Sequence, residues 1–101
     1  MTEDLPSLLR KWHSENIVML TQKEAKVEVF DSAVRRAKNS FGVAVEFASR
    51  ISYLTVWDSG EAQIAKMDLD VDAAPNEEYR EYLAGDDMLR VADSLVDWVL
   101  A

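Results

Sequence analysis

Apolar side chains recur at helical spacing near the start of the chain. Six of them fall along one stripe of a helix: Leu5, Leu8, Leu9, Trp12, Met19 and Leu20. Thr2 followed by the acids Glu3 and Asp4 supplies an N-cap, and Pro6 is tolerated in a first turn. The pattern predicts an amphipathic helix from about residue 3 to residue 22, with one buried face.

The period then changes from helical to alternating. Residues 27–30 predict a short strand, and the polar stretch 33–40 predicts a loop. Three further strand-like runs follow at 41–48, 51–57 and 61–71, with a turn at Asp58-Ser59-Gly60. Connections this short allow only antiparallel neighbours, because a parallel pair needs a crossover of about a dozen residues or more. We expect one sheet face to pack on helices; the other is partly covered, or it offers an aromatic patch to a partner.

Helical spacing returns beyond Val71. Pro75, Asn76, Glu77 and Glu78 predict the first turn of a short helix that ends near residue 85. Asp86 and Asp87 are then expected to cap a last helix, which is apolar on more than half of its circumference and hence largely buried. The predicted fold is a single α+β domain over residues 1–101, a four-stranded antiparallel meander sheet with an N-terminal helix and two C-terminal helices.

The distribution of charge narrows the choice of partner. The 19 acidic and 11 basic residues give a formal net charge of −8, and the surplus of acids lies in residues 68–101, where the bases are Arg80 and Arg90. Such a surface repels phosphates, so we expect neither nucleic acid nor an anionic membrane as a partner. It favours a basic protein surface, although an acidic face kept for solubility explains the same charge.

Few residues are suited to catalysis or metal binding. The chain has no cysteine and one histidine, His13, so it offers no thiol nucleophile and no thiolate metal site. Asp68-x-Asp70-x-Asp72 matches the opening of a calcium-binding EF-hand loop, but Ala73 stands at the glycine position and Tyr79 at the bidentate glutamate position. We expect the three aspartates to form a solvated stripe at a strand end. We predict no enzyme, no metal and no cofactor.

The sequence also bears on the compartment. The absence of cysteine favours a reducing environment, and the acidic start of the chain is unlike a secretory signal. No stretch approaches the ~18 to 20 apolar residues that a membrane span requires. We therefore expect a cytoplasmic protein.

Aromatic residues stand among the acids of the C-terminal third. Trp57 precedes a turn, and Tyr79 and Tyr82 lie among glutamates. Tryptophan and tyrosine anchor many protein interfaces, although both tyrosines also suit packing over a sheet edge. The residues that we expect to contact a partner are Trp57, Asp68, Asp70, Asp72, Glu77, Glu78, Tyr79, Asp86 and Asp87.

The run LTVWDSGE at residues 54–61 resembles the central hairpin of the TriTu-like immunity family of bacterial toxin-immunity proteins. The strand VEVFDS at residues 27–32 and the leading helix with Trp12 also fit, so the resemblance covers roughly residues 5–70. It implies a non-enzymatic antitoxin of interbacterial competition that blocks its cognate protein toxin, as a monomer in a one-to-one complex. In this family the toxin is an ADP-ribosyltransferase that acts on elongation factor Tu.

Two other functions suit the same composition. A secretion chaperone or effector-binding adaptor is also small, acidic and α+β, and we would expect it to be a dimer. A small enzyme or ligand-binding domain would instead need a concave pocket lined by converging polar groups.

Overall fold

The structure is a computed structural model that describes residues 4–31, 39–71 and 74–101. Its elements in chain order are α1 (Leu5–Gln22), β1 (Lys26–Asp31), β2 (Ser40–Phe47), β3 (Arg50–Trp57), β4 (Ala62–Asp68), β5 (Asn76–Arg80) and α2 (Gly85–Leu100). The five strands form one sheet in chain order, and every neighbouring pair is antiparallel. The α+β class and the antiparallel meander are therefore confirmed.

The first helix begins after Asp4, whose backbone is extended and whose carboxylate accepts a hydrogen bond from the Ser7 hydroxyl at 2.7 Å. Asp4 is therefore the N-cap, whereas Thr2 was predicted; Thr2 and Glu3 lie outside the described residues. Most of the predicted stripe is buried, with Leu9 and Leu20 fully inaccessible to solvent, and Leu8 and Met19 are partly buried. The apolar face of α1 therefore determines which side of the helix packs into the core.

Two predictions for the C-terminal third are wrong. Residues 76–80 form strand β5 where a short helix was expected, so in the described part of the chain the sheet has five strands and the C-terminal region has one helix. Proline followed by acids is typical of a first helical turn, but β4 presents a free edge of backbone donors and acceptors to this segment. Pairing runs from Ala62 opposite Arg80 to Lys66 opposite Asn76. Tertiary pairing thus overrides the local helical signal.

Boundaries near these elements also differ from the prediction. The fourth strand was expected to run to residue 71, but β4 ends at Asp68 and the chain turns at Leu69 and Asp70. The N-cap of α2 is Ala84, which has no side chain to cap with, so Asp86 and Asp87 are not caps. They lie in the first turn of α2, where carboxylates interact favourably with the helix dipole.

Both helices pack on the same face of the sheet. One cluster of buried side chains combines α1 and α2 with alternate residues of β2, β3 and β4, among them Val43, Val45, Leu54 and Val56. Trp12 belongs to this core as predicted, and its indole N–H donates to the Asp93 carboxylate of α2 at 2.9 Å. None of the helices in the described ranges is both long and apolar enough to cross a membrane.

Candidate functional site: the open face of the sheet

The strand register divides the side chains of the sheet between two faces. Directly opposed residues of an antiparallel pair project to the same side, and neighbours along a strand project to opposite sides. Val43, opposite Leu54, faces the helices, whereas Ala44, opposite Tyr53, faces away from them. We call this second side the open face, because among the described residues both helices pack on the other side.

Aromatic side chains and carboxylates both lie on the open face. The register places Phe30, Tyr53, Trp57 and Tyr79 on it, together with Glu28, Glu46, Glu61 and Glu77, and with Lys26 as a basic residue. Phe30 and Tyr79 are about half exposed, and Tyr53 is also exposed. Large amphipathic side chains beside carboxylates are the composition expected of an interface for a basic protein.

Small residues form the centre of this face. Gly42, Ala44 and Ala65 lie between the larger side chains on neighbouring strands. A Cβ atom at Gly42 would come within 2.9 Å of the Thr55 hydroxyl oxygen, so even alanine would force a shift there. A shallow groove of about 280 Å³ runs along β3 and β4 beside Tyr53. The face therefore offers a shallow depression with aromatic residues around it.

One end of the open face is held in place by hydrogen bonds, and we call it the hairpin corner: the β3–β4 turn at 57–61 with Tyr79 and Tyr82. The Glu61 carboxylate accepts from the Tyr79 phenol at 2.5 Å and from the Ser59 hydroxyl at 2.7 Å. The backbone N–H of Leu83 donates to the carbonyl of Gly60 at 2.8 Å. The segment after β5 is thereby fixed to the turn.

The hydrogen bond at the corner also changes the acidity of Tyr79. Donation to the Glu61 carboxylate, followed by partial burial and the negative charges of Glu61 and Glu81, raises the pKa of Tyr79 to about 12. The phenol therefore remains a neutral donor at physiological pH. It keeps the Glu61 carboxylate in one position on the surface.

The predicted contact residues do not form a single site. Trp57 and Tyr79 both belong to the hairpin corner, and Glu77 lies farther along β5 on the open face. Asp68 ends β4 at the opposite end of the sheet, and Asp70 follows it in a turn. The seven residues of β4 separate the two ends by roughly 20 Å. Asp72 lies outside the described residues.

Asp68 takes part in internal contacts, so the expectation of a solvated aspartate stripe fails at its first member. Its carboxylate accepts from the backbone N–H of Asp70 and the Ser49 hydroxyl, both at 3.0 Å, and pairs with Arg50 at 3.3 Å. The Asp70 N–H is the largest cause of the lowered pKa of Asp68, and Ser49 and Arg50 lower it further. This aspartate stabilises the end of the sheet.

The other predicted acids also lie away from the open face. Glu78 projects to the helix side, since it is opposite Ile64, and it pairs with Arg80 at 2.6 Å. Asp87 pairs with Arg90 at 3.2 Å on the surface of α2, and Asp86 is exposed beside it. These three residues therefore belong to a different surface from Trp57 and Tyr79.

The sequence prediction omitted several residues of the open face from the contact set. Phe30, Tyr53, Glu28 and Glu61 were not included, although the strict alternation in 41–48 already separated two faces. Which residues of the runs 27–30 and 51–57 share a face with those of 41–48 depends on how the strands pair. The sequence pattern did not provide this register. Tyr82 was noted for its acidic surroundings, but its position depends on β5 being a strand.

The single histidine and the carboxylates are the residues that bear on catalytic and metal chemistry. His13 packs edge-on against Phe41, with ring centroids 6.4 Å apart. In the described part of the chain, no three histidine, aspartate or glutamate side chains are grouped so that they could hold a metal ion. No model of a known protein family matches this sequence, and no curated protein matches it either.

Proposed function

We propose that this protein is an immunity protein that binds a basic protein toxin in the producing cell and blocks it without chemistry. The observation that carries the proposal is the open face, where exposed aromatic side chains and carboxylates lie together and both helices pack on the other side. The partner would be a protein surface rich in lysine and arginine. The protein would act in the cytoplasm as a monomer in a one-to-one complex.

The size of the open face suits a protein partner. Five strands spaced ~4.8 Å apart and about seven residues long give a planar area of roughly 450 Å². A stable complex usually buries about 800 Å² on each partner. The open face would supply about half of such an interface, and the hairpin corner and neighbouring turns would contribute the remainder.

The resemblance of residues 54–61 to the TriTu-like immunity hairpin specifies the toxin further. Under this proposal the toxin is an ADP-ribosyltransferase that acts on elongation factor Tu. Such an enzyme binds an anionic dinucleotide, so its cleft is expected to be basic and complementary to an acidic face.

Charge reversal on the open face tests the proposal. Glu28 and Glu77 are exposed and occupy one row across the sheet, on either side of Tyr53. Proteins of the family that this chain resembles are encoded beside their toxins, so the neighbouring gene supplies the probe. The double variant E28K/E77K should weaken binding to the purified, catalytically inactivated product of that gene by about tenfold or more. It should also abolish protection of cells that express the active toxin. The matched control is E15K/D97K, which changes the net charge by the same amount. It substitutes exposed residues of α1 and α2, on the helix side of the sheet.

Two outcomes would contradict the proposal. If the wild-type protein neither binds the neighbouring gene product nor protects against it, the immunity function is wrong. If E28K/E77K and E15K/D97K weaken binding equally, net charge alone drives association and the open face is not the interface. Raising the salt concentration from 50 to 300 mM in both titrations separates general attraction from local contacts.

The outer edge of β1 favours a second candidate, the dimeric chaperone or adaptor. Val29 and Phe30 are exposed on this strand, which among the described residues pairs with β2 only, and such an edge readily pairs with another strand. Light scattering at 10–200 µM distinguishes the two functions, because the chaperone would be a dimer. The variant V29K should dissociate such a dimer, and it should leave the mass of an immunity monomer unchanged.

A further inference from the structure

We infer that Tyr82 is the anchor side chain of the interface, inserting into an apolar socket flanked by lysine or arginine on the toxin. This inference rests on the proposed function and specifies where on the surface the binding energy is concentrated. Tyr82 is 88% exposed, the highest value among the exposed large hydrophobic side chains of the described chain. A tyrosine held in solvent in this way gains nothing from the core of its own domain.

The backbone at Tyr82 is in a conformation that disfavours a tyrosine. Its φ angle is +56°, in the left-handed region that glycine and asparagine adopt at least cost. Among the described residues, two other non-glycine residues share this conformation, Glu24 just after α1 and Ala48 in the β2–β3 turn. Tyr82 differs from both because it is a large aromatic residue. Strain of this kind, where the side chain makes no compensating contact with the core, is a feature of functional positions.

The surroundings of Tyr82 present it rigidly. The Leu83 N–H bonds the Gly60 carbonyl at 2.8 Å, and Leu83 packs against the core directly after Tyr82. The β3–β4 turn is itself tied to the start of β2, since the N–H of Asp58 donates to the carbonyl of Asn39 at 3.0 Å. An aromatic side chain on a fixed backbone loses little entropy on binding, which is typical of interface anchors.

The acidic residues around Tyr82 indicate that the side chains at the rim of the toxin's socket are basic. Tyr79 lies close to Tyr82 and to Glu81, and Glu61 accepts the Tyr79 hydrogen bond. We therefore expect the ring of Tyr82 to enter an apolar pocket on the toxin. Basic side chains at the edge of that pocket would contact the carboxylates around Tyr82. This matches the usual arrangement of a desolvated anchor within a polar rim.

The experiment measures both binding and stability for substitutions at this position. With the inactivated neighbouring gene product as probe, Y82A and Y82N should each raise the Kd by about 30-fold or more, and Y82F should stay within about fivefold. The control V18A removes a side chain that is 65% exposed on α1, and it should change the Kd by less than about twofold. In the absence of the partner, Y82N should raise the Tm by about 4 °C, because asparagine tolerates the left-handed backbone.

The outcomes separate this inference from the proposed function. If wild type binds and Y82A binds equally well, Tyr82 is not the anchor while the immunity function stands. If Y82N lowers the Tm, tyrosine supports the fold at this position and the anchor role is overturned. If wild type does not bind the probe at all, the proposed function fails and this inference fails with it.

Discussion

Replacement of Arg50 by methionine should destabilise the protein far more than replacement of a typical surface arginine. Arg50 begins β3, and its guanidinium joins that end of the sheet to the last turn of α2. It donates to the carbonyl oxygen of Trp98 at 2.7 Å, pairs with Asp68 at 3.3 Å and lies over the Trp98 ring, 5.0 Å from its centroid. The Trp98 carbonyl also accepts from the backbone N–H of Ala101, but at 3.4 Å, so the shorter bond from Arg50 is its stronger partner at this helix end.

The magnitude follows from these three contacts. A hydrogen bond from a charged donor contributes about 1.5–3 kcal/mol, a partly exposed ion pair about 0–1 kcal/mol, and a cation–π contact about 0.5–1 kcal/mol. The contacts share one guanidinium and are therefore not additive. Methionine preserves most of the packing of the aliphatic stem. We expect R50M to lower the free energy of unfolding by about 2–3 kcal/mol.

Urea unfolding followed by tryptophan fluorescence and circular dichroism provides the assay. With a denaturant dependence of roughly 1.5 kcal/mol/M, the R50M midpoint should fall by about 1–2 M. The matched control is R90M, because Arg90 forms an exposed pair with Asp87 on α2. It should change stability by less than about 0.5 kcal/mol. R50K should fall between wild type and R50M, since it keeps the charge but loses the forked geometry.

Equal stabilities of R50M and R90M, within about 0.5 kcal/mol, would refute this reasoning. They would show that the bond to the Trp98 carbonyl is replaced by water at no cost. A reduced denaturant dependence in R50M alone would instead indicate that α2 separates from the sheet before the rest unfolds.

Three further predictions concern pH and packing. The pKa of Asp68 is lowered from its ordinary value of 3.8, so the stabilisation it provides is complete above about pH 4 and is lost as the pH falls through the lowered value. The stability gap between wild type and D68N should therefore shrink below pH 4, and a gap that stays constant to pH 2 would contradict this. The pKa of Tyr79 is raised to about 12, so its stabilising contribution is present below pH 10 and is lost between about pH 10 and 12. The absorbance titration at 295 nm, taken as the difference between wild type and Y79F, should show this late ionisation and should move toward pH 10 in E61A; ionisation near pH 10 in wild type would exclude the hydrogen bond. Finally, L9A truncates a fully buried leucine and should cost about 3 kcal/mol in a urea titration, whereas L69A truncates an exposed one and should cost less than about 0.5 kcal/mol. Similar losses for both would mean that Leu9 is not in the core.

The local spacing of apolar residues was sufficient to predict those elements that bury one face. The stripe that includes Leu9 and Trp12 identified α1, and the alternation around Val43 and Val45 identified β2. These patterns succeed because burial of one face imposes a period of 3.6 on a helix and of two on a strand. The short connections then left only antiparallel pairing, which is the observed topology.

The sequence pattern was misleading for residues 76–80, where local and tertiary preferences conflict. Proline and glutamates at a segment start are typical of a helix, yet the free edge of β4 pairs with this segment as β5. All five residues of β5 are exposed, so no buried apolar stripe marks either period. Such a segment adopts the structure in which its backbone N–H and C=O groups form hydrogen bonds. Here those bonds are made with β4, so the structure of the segment depends on its tertiary contacts.

The candidate site was decided by the register of the strands. From the sequence alone, acid content placed the contacts at Asp68, Asp70 and Asp72, and an aromatic residue among glutamates identified Tyr79. Strand pairing then placed Tyr79 beside Glu61 and left Asp68 bound to Arg50 at the far end of the sheet. Charge and composition are properties of the chain and can be read without a structure, whereas the face on which a strand residue projects depends on its pairing. The sequence therefore determined the acidic character of the protein and most of its elements, and only the tertiary structure decided which acids and aromatic residues share one surface.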